Sequence, residues 1–167
     1  MTSNRGGVRA SWVPIAGIGG SFPPRIAGAA HQCASLGAHD AGTGDYMHEL
    51  SIAMSLVDLA AEEAERRGAQ RVNAVHLRLG PLSGVVGDAL RFSFEIAANG
   101  TAIDGARLII VETPIVAHCS RCAVDREIPS AQMLCCPACG TPTPNVIRGS
   151  ELELFAMELE GDVATHR

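Results

Sequence analysis

Two pairs of cysteines, each with two residues between its members, form the clearest chemical pattern in the sequence. The first pair is Cys119 and Cys122, and the second is Cys136 and Cys139. Each pair can turn two sulfur atoms toward one side of a metal ion, and zinc prefers four thiolates in a tetrahedron. The spacing therefore predicts a four-cysteine zinc site of the ribbon type. Because four thiolates leave no open coordination position, we expect this site to be structural rather than catalytic.

The remaining cysteines leave a redox alternative open. Cys135 directly precedes Cys136 and is interpreted as a spare thiol, whereas Cys33 stands alone near the N-terminus. A redox enzyme could use Cys135 with a neighbouring thiol, but redox CxxC pairs usually open a helix within a βαβ unit, and that context is missing here. The clustering of five cysteines favours a metal site in a reducing compartment over a secreted disulfide scaffold. We therefore expect a cytoplasmic protein.

A histidine beside a carboxylate forms the second candidate site, in the segment Met47-His48-Glu49. The residues alone favour a solvent-facing His48 and a Glu49 stabilised by the N-terminal dipole of a helix. Two other histidines have open roles. His118 precedes the first cysteine pair and is either a solvated histidine or a metal-responsive one, and His76 is expected on the polar face of a strand.

The elements that position these residues begin near Met47. Apolar residues recur at helical spacing as far as Ala64, and Gly68 is placed to end that helix. Alternation from Val75 to Leu79 predicts a half-buried strand. Asp88 is expected to cap a second helix, which ends at Asn99-Gly100. Its apolar residues Leu90, Phe94 and Ala97 share one face, and Phe92 and Ile96 flank them.

Two further β segments flank the cysteines. A run from Leu108 to Val116 is rich in β-branched residues, and Glu151 to Leu159 alternates with a change of phase at Leu154 and Phe155, which predicts a bulge. The fold class is therefore α+β, with two helices on a small mixed β-sheet. We expect one domain from 47–116 plus 146–161, interrupted by a zinc ribbon at 117–145.

Residues 1–46 differ from the rest in being rich in Gly, Ala, Ser and Pro. They predict a disordered extension, upstream sequence included by a wrongly chosen start codon, or a processed targeting segment. The stretch from Trp12 to Ile18 is broken by Pro14 and Gly17, which makes it a poor signal peptide.

Composition excludes several function classes. The formal net charge of -5 argues against nucleic-acid binding, which needs a basic surface, and the aromatic content of 4% argues against base stacking. No apolar run reaches the roughly 20 residues that cross a bilayer. A zinc-ribbon adaptor of the transcription or translation machinery would explain the cysteine pairs, but neither the acidic balance nor the Met47-His48-Glu49 segment.

The order of these motifs resembles one family closely. The segments MHELSIAMSLV, VHLRLGPLSGVV and DALRFSFE, followed by CxxC and CPxC, are similar to the HypA/HybF hydrogenase maturation factors. The resemblance runs from Met47 to about Gly161. It implies a nickel-binding domain with a zinc ribbon and a non-enzymatic nickel metallochaperone. Such a protein delivers Ni(II) to the large subunit of [NiFe] hydrogenase with a HypB-type GTPase, and in some organisms supports urease maturation.

The resemblance also implies residue roles. His48 matches the nickel-ligating histidine of the family, Glu49 its acidic neighbour, and Met47 the residue that supplies a backbone or terminal nitrogen. The four paired cysteines match the zinc ligands. In the family this segment stands at the N-terminus, whereas 46 residues precede it here. We therefore expect the functional protein to begin at Met47. An acidic residue before the second helix serves some members, and Asp88 lies near that position.

Overall fold

Two helices pack on one face of a four-stranded sheet, and a three-stranded sheet is inserted between the last two strands of the first. The computed structural model describes residues 10–15 and 46–161. In chain order the elements are β1 (Ala10–Pro14), α1 (Tyr46–Arg66), β2 (Arg71–Leu79), α2 (Gly87–Ala98), β3 (Arg107–Glu112), β4 (Ile115–Cys119), β5 (Val124–Ile128), β6 (Val146–Arg148) and β7 (Leu152–Glu160). The α+β class predicted from the sequence is confirmed.

The larger sheet has the strand order β1-β7-β2-β3 and mixes both pairing directions. β2 and β3 are parallel because α2 connects them as a crossover, whereas β7 is antiparallel to both β1 and β2. One apolar cluster, with Leu77, Leu90, Phe94 and Met157 among its buried members, joins the sheet to both helices.

The end of α1 follows the prediction closely. Gly68 has a φ of 67° and donates its N–H to Glu65, and Ala69 donates to the carbonyl of Ala64. These two bonds form a Schellman motif, in which a glycine in the left-handed region satisfies the last carbonyl groups of a helix. The chain then turns directly into β2.

The second helix differs from the prediction at its start. Its N-cap is Val86, so the expectation that Asp88 caps the helix is wrong; Asp88 lies in the first turn and pairs with Arg91 at 2.7 Å. Phe92 and Ile96 flank the buried stripe of the helix and are 65% and 54% exposed. The prediction that these two residues flank the face shared by Leu90, Phe94 and Ala97 is thus confirmed.

The bulge predicted in the last strand is present. His76 pairs with Ala156, but the next residue of β2, Leu77, pairs with Leu154. Phe155 is therefore the extra residue, which explains the change of phase in the sequence. Its ring packs edge-on against His76 and under the guanidinium of Arg78.

The prediction of disorder for residues 1–46 is wrong for Ala10–Pro14. This segment adds a strand to the outer edge of β7, and Val13 enters the main apolar cluster. A strand of five residues is too short to show a periodicity that would have predicted it. Residues 1–9 and 16–45 lie outside the part of the chain that the structure describes.

The run predicted as one strand from Leu108 to Val116 is split at Thr113-Pro114. Before the break β3 belongs to the larger sheet, and after it β4 belongs to the smaller sheet, whose order is β5-β4-β6. A proline has no N–H for a strand ladder, and it therefore suits the point where the chain changes sheets. The smaller sheet spans Ile115 to Arg148 and extends the expected ribbon of 117–145 at both ends.

Two glycines make the junction between the sheets very close. A Cβ atom on Gly80 would lie 2.2 Å from the backbone carbonyl of Gly149. Next to this contact Leu82 donates its N–H to the Gly149 carbonyl at 2.7 Å, and its side chain packs on the small apolar cluster of the ribbon. Among the described helices, none is long and apolar enough to span a membrane.

Candidate metal centres

The four paired cysteines come together at one end of the smaller sheet. The sulfur atoms of Cys119, Cys122, Cys136 and Cys139 all lie within 4.8 Å of one another, and Cys119 and Cys139 approach to 3.6 Å. In a tetrahedron with zinc–sulfur bonds of about 2.3 Å, neighbouring sulfurs are about 3.8 Å apart. The arrangement predicted from spacing is therefore present, and its size fits one zinc ion.

Each cysteine pair is closed by the same backbone bond. Ala123, directly after the first pair, donates its N–H to the Cys119 carbonyl, and Gly140, directly after the second, donates to the Cys136 carbonyl, both at 2.8 Å. Both residues have a positive φ, 55° for Ala123 and 69° for Gly140. A left-handed residue at this point turns the two sulfurs of each pair to one side. Glycine adopts that conformation without strain, whereas alanine does not.

Hydrogen bonds make the four sulfurs unequal. The side chain of Thr141, 3.3 Å from the Cys139 sulfur, and its backbone lower the pKa of Cys139 to about 6. Contacts with the thiols of Cys139 and Cys119 raise the pKa of Cys122 to about 12. Because a metal binds the thiolate form, Cys139 is the ligand best prepared for it. Sequence reasoning did not identify Thr141.

The residues beside the cluster take other partners. The Nδ1 atom of His118 is 2.7 Å from Asp125, its cross-strand neighbour. His118 is thus tied to a carboxylate on β5, and its role toward the metal stays a prediction. Cys135 is disulfide-bonded, so its interpretation as a spare thiol is wrong. Cys33 lies outside the described residues.

The Met47-His48-Glu49 segment forms the first turn of α1, in which His48 is exposed and Glu49 is 1% exposed. The imidazole is thus available to a ligand from solvent, whereas the carboxylate is buried. Glu49 lies in the first turn of α1, as its residue type suggested, and the start of α2 covers its carboxylate. The side chain of Met47 is not described.

The Glu49 carboxylate joins the N-termini of the two helices. Its Oε1 accepts the N–H of Val86, the N-cap of α2, at 3.4 Å. Its Oε2 is buried and has no hydrogen-bond partner among the described residues. A buried carboxylate oxygen without a donor is costly, and a cation or an added donor would relieve that cost. Val86 takes part only through its backbone N–H, so its side chain gave no signal in the sequence.

Backbone groups complete this second centre. The first four N–H groups of an α-helix have no acceptor within the helix, and in α1 these include the amides of Met47, His48 and Glu49. Ni(II) favours tetragonal nitrogen-rich sites, which consecutive backbone nitrogens and one imidazole can supply. Once deprotonated, these amide nitrogens and the imidazole are the donor types that nickel prefers, at a solvent-accessible position.

His76 lies apart from both centres. Its Nε2 is 2.9 Å from Glu158, and the ring is largely buried on the face of the sheet that is opposite the helices. The expectation of a merely solvent-exposed histidine is wrong, since its side chain is only 14% exposed. Its partner lies 82 residues away in sequence, so local pattern could not reveal the pair.

Comparison with known proteins gives one consistent result. A family profile described as "Hydrogenase/urease nickel incorporation, metallochaperone, hypA" matches residues 47–159. A "Hydrogenase maturation factor HypA" from Roseiflexus sp. (strain RS-1) is 49% identical over 116 residues, which cover 70% of this chain and 94% of the relative. A protein of the same name from Chloroflexus aurantiacus is 49% identical over 112 residues, which cover 67% and 98%.

One solved structure agrees with the fold. It is described as "Solution structure of HypA protein", has a TM-score of 0.50 and is 26% identical in sequence. The match covers 68% of this chain and 96% of the other.

Proposed function

Because the chain belongs to the HypA family, we propose that it is a non-enzymatic nickel metallochaperone that takes up Ni(II) at Met47-His48-Glu49 and delivers it to the large subunit of [NiFe] hydrogenase. The observation that carries this proposal is the buried Oε2 of Glu49, which has no partner among the described residues, in the same helical turn as the exposed His48. A cation bound at the first turn of α1 would give that oxygen a partner. The donor set next to it is the nitrogen-rich one that Ni(II) prefers.

The exposure of His48 suits a carrier. A metal that must be handed on needs ligands that a recipient can replace, and a buried, closed shell would hold it too firmly. Here the imidazole is open to solvent, and the amides lie at a helix end, where fraying costs little. The N-terminus of α2 covers Glu49 and donates a hydrogen bond to its carboxylate. The carboxylate can therefore stabilise the bound cation without blocking the approach of a recipient protein.

The four-cysteine cluster has a different task in this proposal. Its size fits zinc, and four thiolates would saturate the ion, which would supply folding energy to the ribbon and no reactive position. The ribbon needs this support, because its own buried apolar cluster consists of Ile115, Ala117 and Ile128. We assign the ribbon, expected over 117–145, to folding and partner docking.

The partners and the working form follow from the family. We propose that a HypB-type GTPase acts with this chain in the cytoplasm, and that urease maturation proteins are a second recipient of its nickel. We also propose that the protein works with Met47 as its first residue. Its terminal amine would then join the nickel plane, as intact-mass analysis of the native protein can test.

Nickel titration tests the site. We expect the chain that starts at Met47 to bind one Ni(II) with a dissociation constant on the order of 1 μM, about -8 kcal/mol. His48→Ala should abolish this binding, whereas His76→Ala should leave it unchanged, since His76 lies on the far face of the sheet. Equal nickel affinity in His48→Ala and the parent would show that the site is elsewhere.

A further inference from the structure

The outer edge of β7 holds a strand that lies outside the family match. β1 runs antiparallel to β7 in a register from Ala10 opposite Glu160 to Pro14 opposite Ala156. The family match begins at residue 47 and so includes β7 but not β1. The edge of β7 thus belongs to the family domain, while its occupant comes from the segment that precedes that domain.

Three kinds of contact hold β1 on this edge. The backbone ladder continues past Pro14, because Ile15 donates its N–H to the Phe155 carbonyl at 2.9 Å. Val13 is 6% exposed and enters the core cluster, with Ile15 packed beside it. Arg67, which is paired with Glu63, donates to the Pro14 carbonyl at 3.4 Å.

Main-chain hydrogen bonds and a buried alternate side chain are the features of a site that binds an extended peptide. Unpaired strand edges are templates for a further strand; main-chain bonds then give affinity, and pockets for alternate side chains give specificity. We propose that the outer edge of β7 is a docking site for an extended segment of a partner protein, which binds antiparallel with apolar side chains in the positions of Val13 and Ile15. In a chain that includes residues 10–14, β1 is the intramolecular occupant of that site, and a chain that begins at Met47 leaves the site open.

Charge favours a different protein over a second copy of this chain. β7 carries Glu153, which pairs with Arg78, Glu158, which pairs with His76 and Arg107, and Glu160. Pairing two β7 edges around a two-fold axis would add the acidic side chains of a second copy to this already acidic strand. β1 is neutral and brings alanine to Glu160 and tryptophan to Glu158. The partner segment should accordingly be neutral or basic on the face of the sheet away from the helices.

A labelled peptide of residues 10–15 tests the site on the full chain. Val13→Asp places a charge in the core position and should release the chain's own β1. Peptide affinity should then rise about tenfold over the parent, because the site is no longer occupied from within. Pro14→Asp is the matched control: it adds the same charge at the exposed neighbouring residue and should leave peptide affinity at the parent value.

The position of the bound peptide gives the second readout. Amide NMR shifts on peptide binding should be confined to β7 and the end of α1, and a peptide with Asp at the Val13 position should cause none. If Val13→Asp does not fold, Val13→Ala should move the affinity in the same direction by less. The proposal is overturned if the parent and both charged variants bind alike, if the shifts lie elsewhere, or if Val13→Asp dimerises by light scattering.

Discussion

Replacing Glu49 with glutamine should make the protein more stable and a poorer nickel carrier. The substitution keeps the shape of the side chain and leaves Oε1 able to accept the Val86 N–H. It removes the charge whose second oxygen is buried without a partner in the described part of the chain. An unmatched neutral amide costs less to bury than an unmatched carboxylate.

The size of the gain follows from two opposing contributions. A buried neutral group without a partner, such as the NH2 of the glutamine, costs about 1–3 kcal/mol, and a buried carboxylate oxygen without a partner costs more. The carboxylate recovers part of this from the N-terminal dipoles of α1 and α2, each worth about 0.3–1 kcal/mol. We therefore expect Glu49→Gln to raise the free energy of unfolding by about 1 kcal/mol.

Urea unfolding of nickel-free, zinc-loaded protein measures this difference, and nickel titration of the same samples measures the functional cost. Glu49→Ala is the control: it removes the charge but leaves a cavity and loses the Val86 bond, so it should be less stable than the parent. If Glu49→Gln unfolds at a lower urea concentration than the parent, the Glu49 carboxylate is well satisfied in the free protein, and our interpretation of the orphan oxygen is wrong.

Three further outcomes are expected. Ala123→Gly should raise the unfolding free energy of the zinc-loaded protein by about 0.5–1 kcal/mol, because it relieves the left-handed alanine; an unchanged urea midpoint would contradict the strain. Gly80→Ala should lower the unfolding free energy by more than about 3 kcal/mol, since its Cβ would meet the Gly149 backbone. Its control Gly84→Ala, which faces open space at a φ of 78°, should cost about 1 kcal/mol, and equal losses would refute the close contact. Removing zinc with a chelator should expose the four paired thiols to a thiol reagent while the helical circular dichroism persists, because the main core contains no ribbon residue; loss of the helical signal would show that the ribbon supports the whole fold.

Local chemistry explains what the sequence could predict. The cysteine spacing fixed the zinc cluster, because ligand geometry acts over a few residues. Gly68 marked the end of α1, and the phase change at Phe155 marked the bulge, since both depend on backbone preferences of one or two residues. The family motif located His48 and Glu49 at the start of the first helix.

Long-range packing explains what it could not. The burial of Glu49 depends on the N-terminus of α2, which lies 37 residues further along the chain. The strand at Ala10–Pro14 exists because β7 offers it an edge, and its own residues have little β pattern. Asp88 has the side chain of a good N-cap, yet the helix begins one residue before it, as the turn after β2 requires.

Gly149, which contacts Gly80 at the junction of the two sheets, also lies close to the start of the ribbon, and this affects how the fold can be modified. The chain leaves the larger sheet at Thr113 and returns at Gly149, and a Cβ on Gly149 would lie 2.9 Å from the Cα of Ile115. The two ends of the ribbon are therefore neighbours, and a short turn could bridge them. The ribbon can be excised or exchanged for another module with adjacent termini, while the helices and the Met47-His48-Glu49 segment keep their scaffold.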